Sequence, residues 1–291
     1  MNDNNAVTLM LDQGDLIALA ITEAMRREAA DLLPTMPMIP VAPVQLQLGA
    51  FTPQEEPEPS IFDIEQADAL DWLRHRAPES VDLFITDPPY ESLEQHRAIG
   101  TTTRLRHSKS SSNDWFSIFP NAMFPALFAE LYRTLKRDRH LYLFCDHVTF
   151  PVAMEAGRAA GFRFWKPLVW DKRRIGMGYH YRSRYEFILF FEKGKRKLAD
   201  LGVPDVLEAP RIHRGYPTEK PVELIETLVT QSSRPGELVA DPFMGSGATG
   251  VAALRHGRRF VGCDLSHESL HICRLRLAET QESLRVRDSE E

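Results

Sequence analysis

One segment of this chain, Asp87-Pro88-Pro89-Tyr90, combines residue types that could activate an amino group. It follows the apolar run of residues 81–86, which predicts a short buried strand, and its prolines make the loop stiff. The carboxylate of Asp87 and the carbonyl of Pro88 can accept both N–H groups of an amino group on a base. These acceptors draw the nitrogen toward tetrahedral geometry, while Tyr90 can stack on the flipped-out base. The segment therefore predicts methylation of a base amino group without a covalent enzyme intermediate.

A glycine-rich segment lies later in the chain, where Gly245, Gly247 and Gly250 fit the pattern G-x-G-x-x-G after a predicted strand. Glycines at this spacing let the backbone approach a nucleotide, and Asp264 at the end of the next strand suits ribose hydroxyls. Asp241 precedes the glycines, and its carboxylate favours a cationic ammonium group over a pyrophosphate. S-adenosylmethionine carries an ammonium group and a ribose but no phosphate. It is therefore the predicted cofactor and methyl donor.

The position of the glycine-rich segment argues against the alternative of an NAD-dependent oxidoreductase. Only 27 residues follow Asp264, which is too few to complete a dinucleotide-binding domain after it. The strands that precede the glycines must therefore complete the sheet, and the segment at residues 87–90 belongs to the same domain.

The elements that position these segments follow from the alternation of apolar runs and helical patterns. Predicted strands cover residues 60–67, 81–86, 140–146, 164–170, 184–192, 237–240 and 258–263. Helical spacing between most of these runs predicts a doubly wound α/β fold with a seven-stranded, mostly parallel, Rossmann-like sheet. Open sheets of this kind bind their ligands at the carboxyl ends of the strands, which is where both segments occur.

The first 59 residues differ in composition from the rest of the chain. Residues 1–33 are predicted to hold an amphipathic helix, and residues 34–59 contain seven prolines and predict a linker. The helix could dock on the main domain, pair with a second copy to form a homodimer, or do neither. Residues 60–281 form the predicted main domain, with insertions near residues 91–114 and 171–215. A charged tail is predicted for residues 282–291.

The formal net charge of -6 hides a strong asymmetry along the chain. Residues 1–70 contain 2 Lys or Arg and 12 Asp or Glu, whereas residues 158–197 contain 12 and 3. A basic block of this size makes a nucleic acid about as well supported as a partner as the alternative of a solvated charged face. The predicted DNA-contacting residues are cations and interleaved tyrosines: Arg104, Arg106, Lys109, Lys172, Arg173, Arg174, Tyr179, Tyr181 and Arg182.

Several other classes of protein are disfavoured. Cys145, Cys263 and Cys273 lack paired spacing, which argues against a disulfide framework and for a reducing, cytoplasmic compartment. No apolar run approaches the length of a membrane span, and the N-terminus lacks the pattern of a signal peptide. His267 and His271 fit H-E-x-x-H, but a third ligand is not apparent, so two exposed histidines are favoured over a zinc site. We therefore expect neither a metal nor a membrane association.

Taken together, the motifs resemble the S-adenosylmethionine-dependent DNA amino-methyltransferases of the permuted β group, in which the catalytic loop precedes the cofactor loop. The resemblance covers residues 60–280. It rests on Asp68, Asp87-Pro88-Pro89-Tyr90, Pro217-Thr218-Glu219-Lys220-Pro221, Asp241-Pro242-Phe243-Met244-Gly245-Ser246-Gly247 and Asp264. Two departures are Ala67, where the family often has Gly, and His213-Arg214-Gly215-Tyr216 before Pro217, where the family usually has His directly before the Pro.

The resemblance implies a methyltransferase sheet with a defined set of cofactor contacts. Asp68 would lie near the cofactor adenine, Thr218 and Lys220 would border its methionine end, and Phe243 would pack against it. Members with Asp at the position of Asp87 usually methylate adenine N6, and members with Ser usually methylate cytosine N4. Site-specific methylation of adenine N6 in DNA is therefore expected. A cytosine-N4 or RNA amino-methyltransferase, or a non-catalytic DNA-binding module with the same fold, remain the alternatives.

Overall fold

The sheet that carries both motif segments is seen in a computed structural model, which describes residues 60–91, 118–176, 180–212, 216 and 218–290. The strands are β1 (Phe62–Gln66), β2 (Val81–Thr86), β3 (Leu135–Cys145), β4 (Arg163–Asp171), β5 (Tyr185–Lys193), β6 (Val206–Glu208), β7 (Leu238–Asp241) and β8 (Arg259–Asp264). The helices are α1 (Ala69–His75), α2 (Phe124–Thr134), α3 (Thr149–Ala159), α4 (Val222–Ser232), α5 (Ala248–Arg255) and α6 (His267–Glu290), and a 3-10 turn covers Asn121–Met123.

These strands form one sheet in the order β1-β8-β7-β2-β3-β5-β4-β6. Neighbouring strands are parallel except at β5, which runs antiparallel to both β3 and β4. From the central pair, β7 leads to β8 on one side and β2 leads to β3 on the other. The carboxyl ends of β7 and β2 therefore flank the switch point of a doubly wound sheet, where ligands bind. The predicted doubly wound, mostly parallel α/β fold is confirmed.

Helices cover both faces of the sheet, and β2 shows why. All six of its residues are buried, as in a parallel strand covered on both sides. Leu83 and Ile85 pack into one core with residues of α4, α5 and α6, whereas Phe84 points to a second core with residues of α1, α2 and α3. The strand is therefore held between two cores, and its carboxyl end cannot shift easily.

Two features of the described residues differ from the sequence prediction. The sheet has eight strands instead of seven, because the short strand β6 pairs in parallel with β4. The last helix continues to Glu290, so most of the predicted tail at residues 282–291 is helical. Leu284 extends the apolar stripe of Cys273 and Leu277 along α6 and packs against the core, which explains the longer helix.

Several predictions lie outside the described residues. These are the helix of residues 1–33 with its proposed pairing, the linker of residues 34–59, and most of the insertion at residues 91–114. Among the helices that the structure describes, none is both long enough and apolar enough to cross a membrane.

Candidate active site

A cavity of about 910 Å³ opens at the carboxyl ends of β1, β2, β7 and β8. This volume lies in the range of small-molecule sites. The predicted site residues that line it are Asp68, Asp87, Pro88, Pro89, Tyr90, Thr218, Lys220, Asp241, Phe243, Gly245 and Asp264. The structure therefore brings the Asp-Pro-Pro-Tyr loop and the glycine-rich loop to one cavity.

Asp241 connects the two loops. Its Oδ1 accepts hydrogen bonds from Thr86 Oγ1 at 2.9 Å and from Phe243 N at 3.0 Å, and its Oδ2 accepts one from Thr249 Oγ1 at 2.9 Å. Burial raises the pKa of Asp241 to about 7, although the hydrogen bonds from Phe243, Thr249 and Thr86 oppose this rise. An acid with this pKa changes its charge near neutral pH.

Both carboxylate oxygens of Asp87 are occupied. The Tyr90 hydroxyl donates to Oδ1, and the Lys220 ammonium donates to Oδ2. Burial, followed by the negative charges of Asp87 and Glu186, raises the pKa of Tyr90 well above its usual value, so the phenol stays a neutral donor. The carboxylate is thus held in one orientation at the end of β2.

Lys220 lies between two carboxylates. Its Nζ atom contacts Asp87 Oδ2 and lies 3.5 Å from Oε2 of Glu186. Burial alone would lower the pKa of Lys220, but the charges of Asp87 and Glu186 outweigh it and raise the pKa. The sequence places Lys220 at the methionine end of the cofactor by resemblance, whereas its ammonium is found beside the catalytic loop.

Glu186 was missed by the sequence analysis. It lies in β5, where Oε1 accepts a hydrogen bond from Lys172 Nζ at 2.5 Å. Burial opposes ionisation of this carboxyl, but the charges of Lys220 and Lys172 lower its pKa. Its signal in the sequence is a single acid directly before the apolar run of residues 187–191, a pattern that by itself predicts only a plain strand.

Asp68 and Asp264 are oriented by backbone amides. Asp68 Oδ1 caps α1 by accepting from Leu70 N at 2.9 Å and from Asp71 N at 3.1 Å. Asp264 Oδ2 accepts from Gly245 N at 3.0 Å, which ties the end of β8 to the glycine-rich loop. Burial raises the pKa of Asp264 above its usual value.

The described lining of the cavity is strongly acidic. Its carboxylates are Asp68, Asp71, Asp87, Glu186, Glu219, Asp241 and Asp264. Its Lys and Arg side chains are Arg74, which pairs with Asp71 at 2.7 Å, and Lys220, which pairs with Asp87. Such a lining attracts the ammonium and sulfonium charges of S-adenosylmethionine and repels a pyrophosphate. The residues present therefore fit the predicted cofactor better than they fit NAD.

Gly247 is not part of the described lining. Its φ is 82° at the start of α5, and a Cβ atom there would lie 2.5 Å from Cys273 Sγ. Glycine at this position lets α6 approach the loop closely, so it shapes the site through packing. Gly245, with a φ of 49°, does line the cavity.

Tyr216 and residues 218–220 line the cavity, and this part of the chain is tied to α6. Tyr216 OH and Ser269 Oγ are hydrogen-bonded at 2.8 Å, and Arg276 Nη2 pairs with Glu219 Oε1 at 2.8 Å. Burial raises the pKa of Tyr216 to about 12, although the bond with Ser269 opposes this rise. Thr218 has a φ of 64°, which is unusual for a β-branched residue and indicates strain retained at a functional site.

Phe119 forms an aromatic wall that the sequence analysis did not predict. Its backbone N–H donates to Pro89 O at 2.8 Å, so the chain returns alongside the Asp-Pro-Pro-Tyr loop. Its ring meets the Phe243 ring edge-on, with centroids 5.1 Å apart. The Tyr90 ring packs into the neighbouring core and is only 7% exposed, so its stacking on a base stays a prediction.

The predicted DNA-contacting residues are only partly described, since Arg104, Arg106, Lys109 and Tyr179 lie outside the described residues. The others belong to the hairpin connection between β4 and β5, where Lys172 is half-buried against Glu186. Arg173 pairs with Glu208 at 2.6 Å, while Arg174, Tyr181 and Arg182 are exposed. This connection presents cations and an aromatic ring to solvent.

The H-E-x-x-H histidines begin α6, where both His267 and His271 are exposed. Within the described ranges, no group of three or more His, Cys, Asp or Glu residues is arranged to hold a metal ion.

The chain is similar to known proteins over most of the residues that form this cavity. A protein-family model described as DNA methylase (N6_N4_Mtase) matches residues 81–211 and 200–274. The presumed methylase YubD of Escherichia coli K12 is 31% identical over 222 residues, which cover 75% of this chain and 91% of that protein. The DNA adenine methyltransferase YhdJ of the same strain is 27% identical over 241 residues, with coverages of 69% and 77%.

A solved structure shares the fold. It is a presumed DNA modification methylase from Thermus thermophilus, crystallised in complex with S-adenosyl-L-methionine. The TM-score is 0.55 at 23% sequence identity, and the match covers 75% of this chain and 93% of that protein.

Proposed function

Because the chain belongs to the N6/N4 DNA methylase family, we propose that it methylates the N6 amino group of an adenine flipped out of double-stranded DNA, with S-adenosylmethionine as donor. The observation that carries the proposal is the meeting of two loops in one cavity. Asp87 is a fixed acceptor on one side, and the acidic cofactor half with Asp241 and Asp264 lies on the other.

The cofactor half recognises its ligand by charge and by hydrogen bonding. The negative charge of Asp241 attracts the ammonium group. Three of its four carboxylate lone-pair sites accept hydrogen bonds from the protein, so one site remains for the ligand. Asp264 and Asp68 accept hydrogen bonds from ribose and adenine, and Phe243 packs beside them. Thr218 and Gly245 bring backbone close to the ligand. Bound S-adenosylmethionine supplies an electrophilic methyl group on a sulfonium.

The catalytic half raises the nucleophilicity of the target nitrogen. Asp87 and the Pro88 carbonyl accept the two N–H groups, which localises the nitrogen lone pair for attack. Tyr90 holds the Asp87 carboxylate through its hydroxyl. As the N–C bond forms, the bond from the methyl group to sulfur would break and leave a neutral thioether, and the surplus proton on nitrogen would pass to the carboxylate of Asp87. Cys145 is disfavoured as a nucleophile because burial, followed by nearby carboxylates, raises its thiol pKa.

Adenine is favoured as the target base on two grounds. YhdJ, to which this chain is similar over 77% of the length of YhdJ, is named as an adenine methyltransferase. Asp at position 87 is the residue that the resemblance associates with adenine N6. Cytosine N4 is the second candidate, because the matching family model bears the names of both N6 and N4. Its amino group offers the same two hydrogens to Asp87 and Pro88.

DNA contacts are proposed for the hairpin connection between β4 and β5. Arg173, Arg174 and Arg182 would neutralise phosphates or read guanine edges, and Tyr181 would enter the base stack. Arg173 would exchange its exposed partner Glu208 for a phosphate. Base flipping is part of this proposal, since an amino group inside a duplex cannot reach a cavity of this kind.

The function is tested by incubating the purified chain with S-adenosylmethionine and unmethylated genomic DNA, followed by digestion and mass spectrometry of the nucleosides. We expect N6-methyladenine, and its absence from the same reaction with Asp87→Ala. N4-methylcytosine as the product would select the second candidate. A digest without any methylated nucleoside would contradict methyl transfer to DNA.

A further inference from the structure

Both oxygens of the catalytic carboxylate already have hydrogen-bond partners. Oδ1 of Asp87 accepts from the Tyr90 hydroxyl, and Oδ2 accepts from the Lys220 ammonium. The proposed function, on which this inference rests, requires Asp87 to accept a hydrogen bond from the target amino group. One of the two partners must therefore give way when the base arrives.

Lys220 is the partner that can move. Tyr90 is fixed within a packed core and is 7% exposed. Lys220 has a second carboxylate in reach, because its Nζ lies 3.5 Å from Oε2 of Glu186. A shift of less than about 1 Å would bring this pair to hydrogen-bonding distance.

Glu186 has one oxygen available for that shift. Its Oε1 is held by Lys172 Nζ at 2.5 Å, whereas its Oε2 is buried and has no hydrogen-bond partner among the described residues. A buried carboxylate oxygen without a donor is unfavourable, so an arriving ammonium stabilises it. Lys172 keeps the carboxylate pointed at Lys220 while this happens.

Two aromatic rings lie beside the Lys220 ammonium. Lys220 Nζ lies 5.2 Å from the centroid of the Phe144 ring and 6.0 Å from that of Trp170. Ring faces at these distances attract a cation without binding it to one point. The lysine side chain is 10% exposed, so water contributes little to its solvation where it contacts Asp87.

We propose that Glu186 is a positioning residue that takes the Lys220 ammonium from Asp87 when the target amino group binds. Lys220 covers the catalytic carboxylate in the free protein and moves to Oε2 of Glu186 in the substrate complex. Asp87 then has an oxygen for the amino group, and the charge of the cluster does not change. Glu186 touches neither base nor cofactor in this role and acts through Lys220.

Glu186→Gln tests the proposal, because the amide keeps the shape of the side chain and removes the charge that draws Lys220. We expect kcat for DNA methylation to fall by about tenfold or more, with little change in KM for DNA or in Kd for S-adenosylmethionine. The matched control is Asp205→Asn, which removes the carboxylate that pairs with the exposed Lys166 of β4. That variant should keep the wild-type kcat.

A double-mutant cycle with Lys220→Met gives the decisive comparison. If Glu186 acts through Lys220, Glu186→Gln should lower kcat in the wild-type background. In the Lys220→Met background, the same substitution should leave kcat almost unchanged. An equal loss in both backgrounds, an unchanged kcat in the single variant, or a loss of cofactor binding along with kcat would each overturn the proposal. A wild-type chain that methylates no DNA would instead overturn the proposed function, and this inference with it.

Discussion

Thr86 donates its hydroxyl hydrogen to Oδ1 of Asp241 across 2.9 Å, although 155 positions separate the two residues in the chain. The contact exists because β2 and β7 are neighbouring parallel strands whose carboxyl ends meet at one edge of the sheet. Thr86 directly precedes the Asp-Pro-Pro-Tyr loop, and Asp241 directly precedes the glycine-rich loop. One buried hydrogen bond therefore couples the positions of the catalytic and cofactor loops.

Thr86→Val should destabilise the protein and weaken cofactor binding. Thr86 is 1% exposed, so the variant leaves a buried carboxylate with one donor fewer, at a cost of about 1–3 kcal/mol. Denaturant unfolding and calorimetric titration with S-adenosylmethionine measure the two effects. Thr86→Ser should restore both, and Thr227→Val on the outer side of α4 should change neither. Wild-type stability and affinity in Thr86→Val would show that the bond does not couple the loops.

Cofactor affinity should rise with pH through neutrality. The pKa of Asp241 is about 7 in the folded protein, so the side chain is protonated below that pH and loses its attraction for an ammonium group. Kd for S-adenosylmethionine should therefore be about tenfold larger at pH 6 than at pH 8. In Asp241→Asn most of this dependence should disappear, because the amide does not titrate and the pH response of Asp264 is all that remains of the two carboxyls whose pKa burial raises. A pH-independent Kd in the wild-type chain would remove Asp241 from ammonium recognition.

Asp87→Asn should separate catalysis from cofactor binding. The amide keeps the size of the side chain but replaces one acceptor oxygen by a donor, so kcat should fall by about 10²-fold or more. Kd for S-adenosylmethionine should change little. Radiolabelled methyl transfer and calorimetry give the two values, and Asp63→Asn at an exposed position of β1, outside the cavity lining, is the control. Methylation at near wild-type rate in Asp87→Asn would contradict the assigned role.

Gly247→Ala should destabilise the protein more than Gly236→Ala. Both glycines have a φ of 82°, so both variants carry the same backbone strain of about 1–2 kcal/mol. A Cβ at position 247 would also lie 2.5 Å from Cys273 Sγ, whereas a Cβ at position 236 meets nothing within 4 Å. Chemical denaturation measures the difference. Cys273→Ala should recover part of the loss in the Gly247→Ala background, and equal losses at both glycines would exclude the clash.

Arg173→Ala combined with Arg174→Ala should weaken DNA binding and reduce its salt dependence. If both guanidinium groups contact phosphates, the slope of log Kd against log salt should fall by about 2. Fluorescence anisotropy at several salt concentrations measures affinity and slope together, and Kd for S-adenosylmethionine should not change. Lys166→Ala, at an exposed lysine that pairs with Asp205, is the control. An unchanged slope in the double variant would move the DNA contacts elsewhere.

The sequence alone determined the fold class, because a short sequence pattern predicts each strand and helix. Strand β2 has four apolar residues among its six and is followed by Asp87 and two prolines, and α5 begins directly after a glycine-rich loop. Patterns of this kind depend on neighbours within a few positions, so they can be interpreted without the tertiary structure. The prediction that both motif loops follow strands needed no more than that.

The tertiary structure alone decided what surrounds Asp87. Lys220 is 133 positions away from Asp87, and Glu186 stands in β5 directly before an apolar run. Their meeting depends on the strand order and on the antiparallel entry of β5, which no local pattern specifies. The same holds for Gly247, whose need for glycine comes from a cysteine on α6. Local periodicity therefore determined the elements of this protein, whereas the partners of its buried charges were decided by contacts between distant parts of the chain.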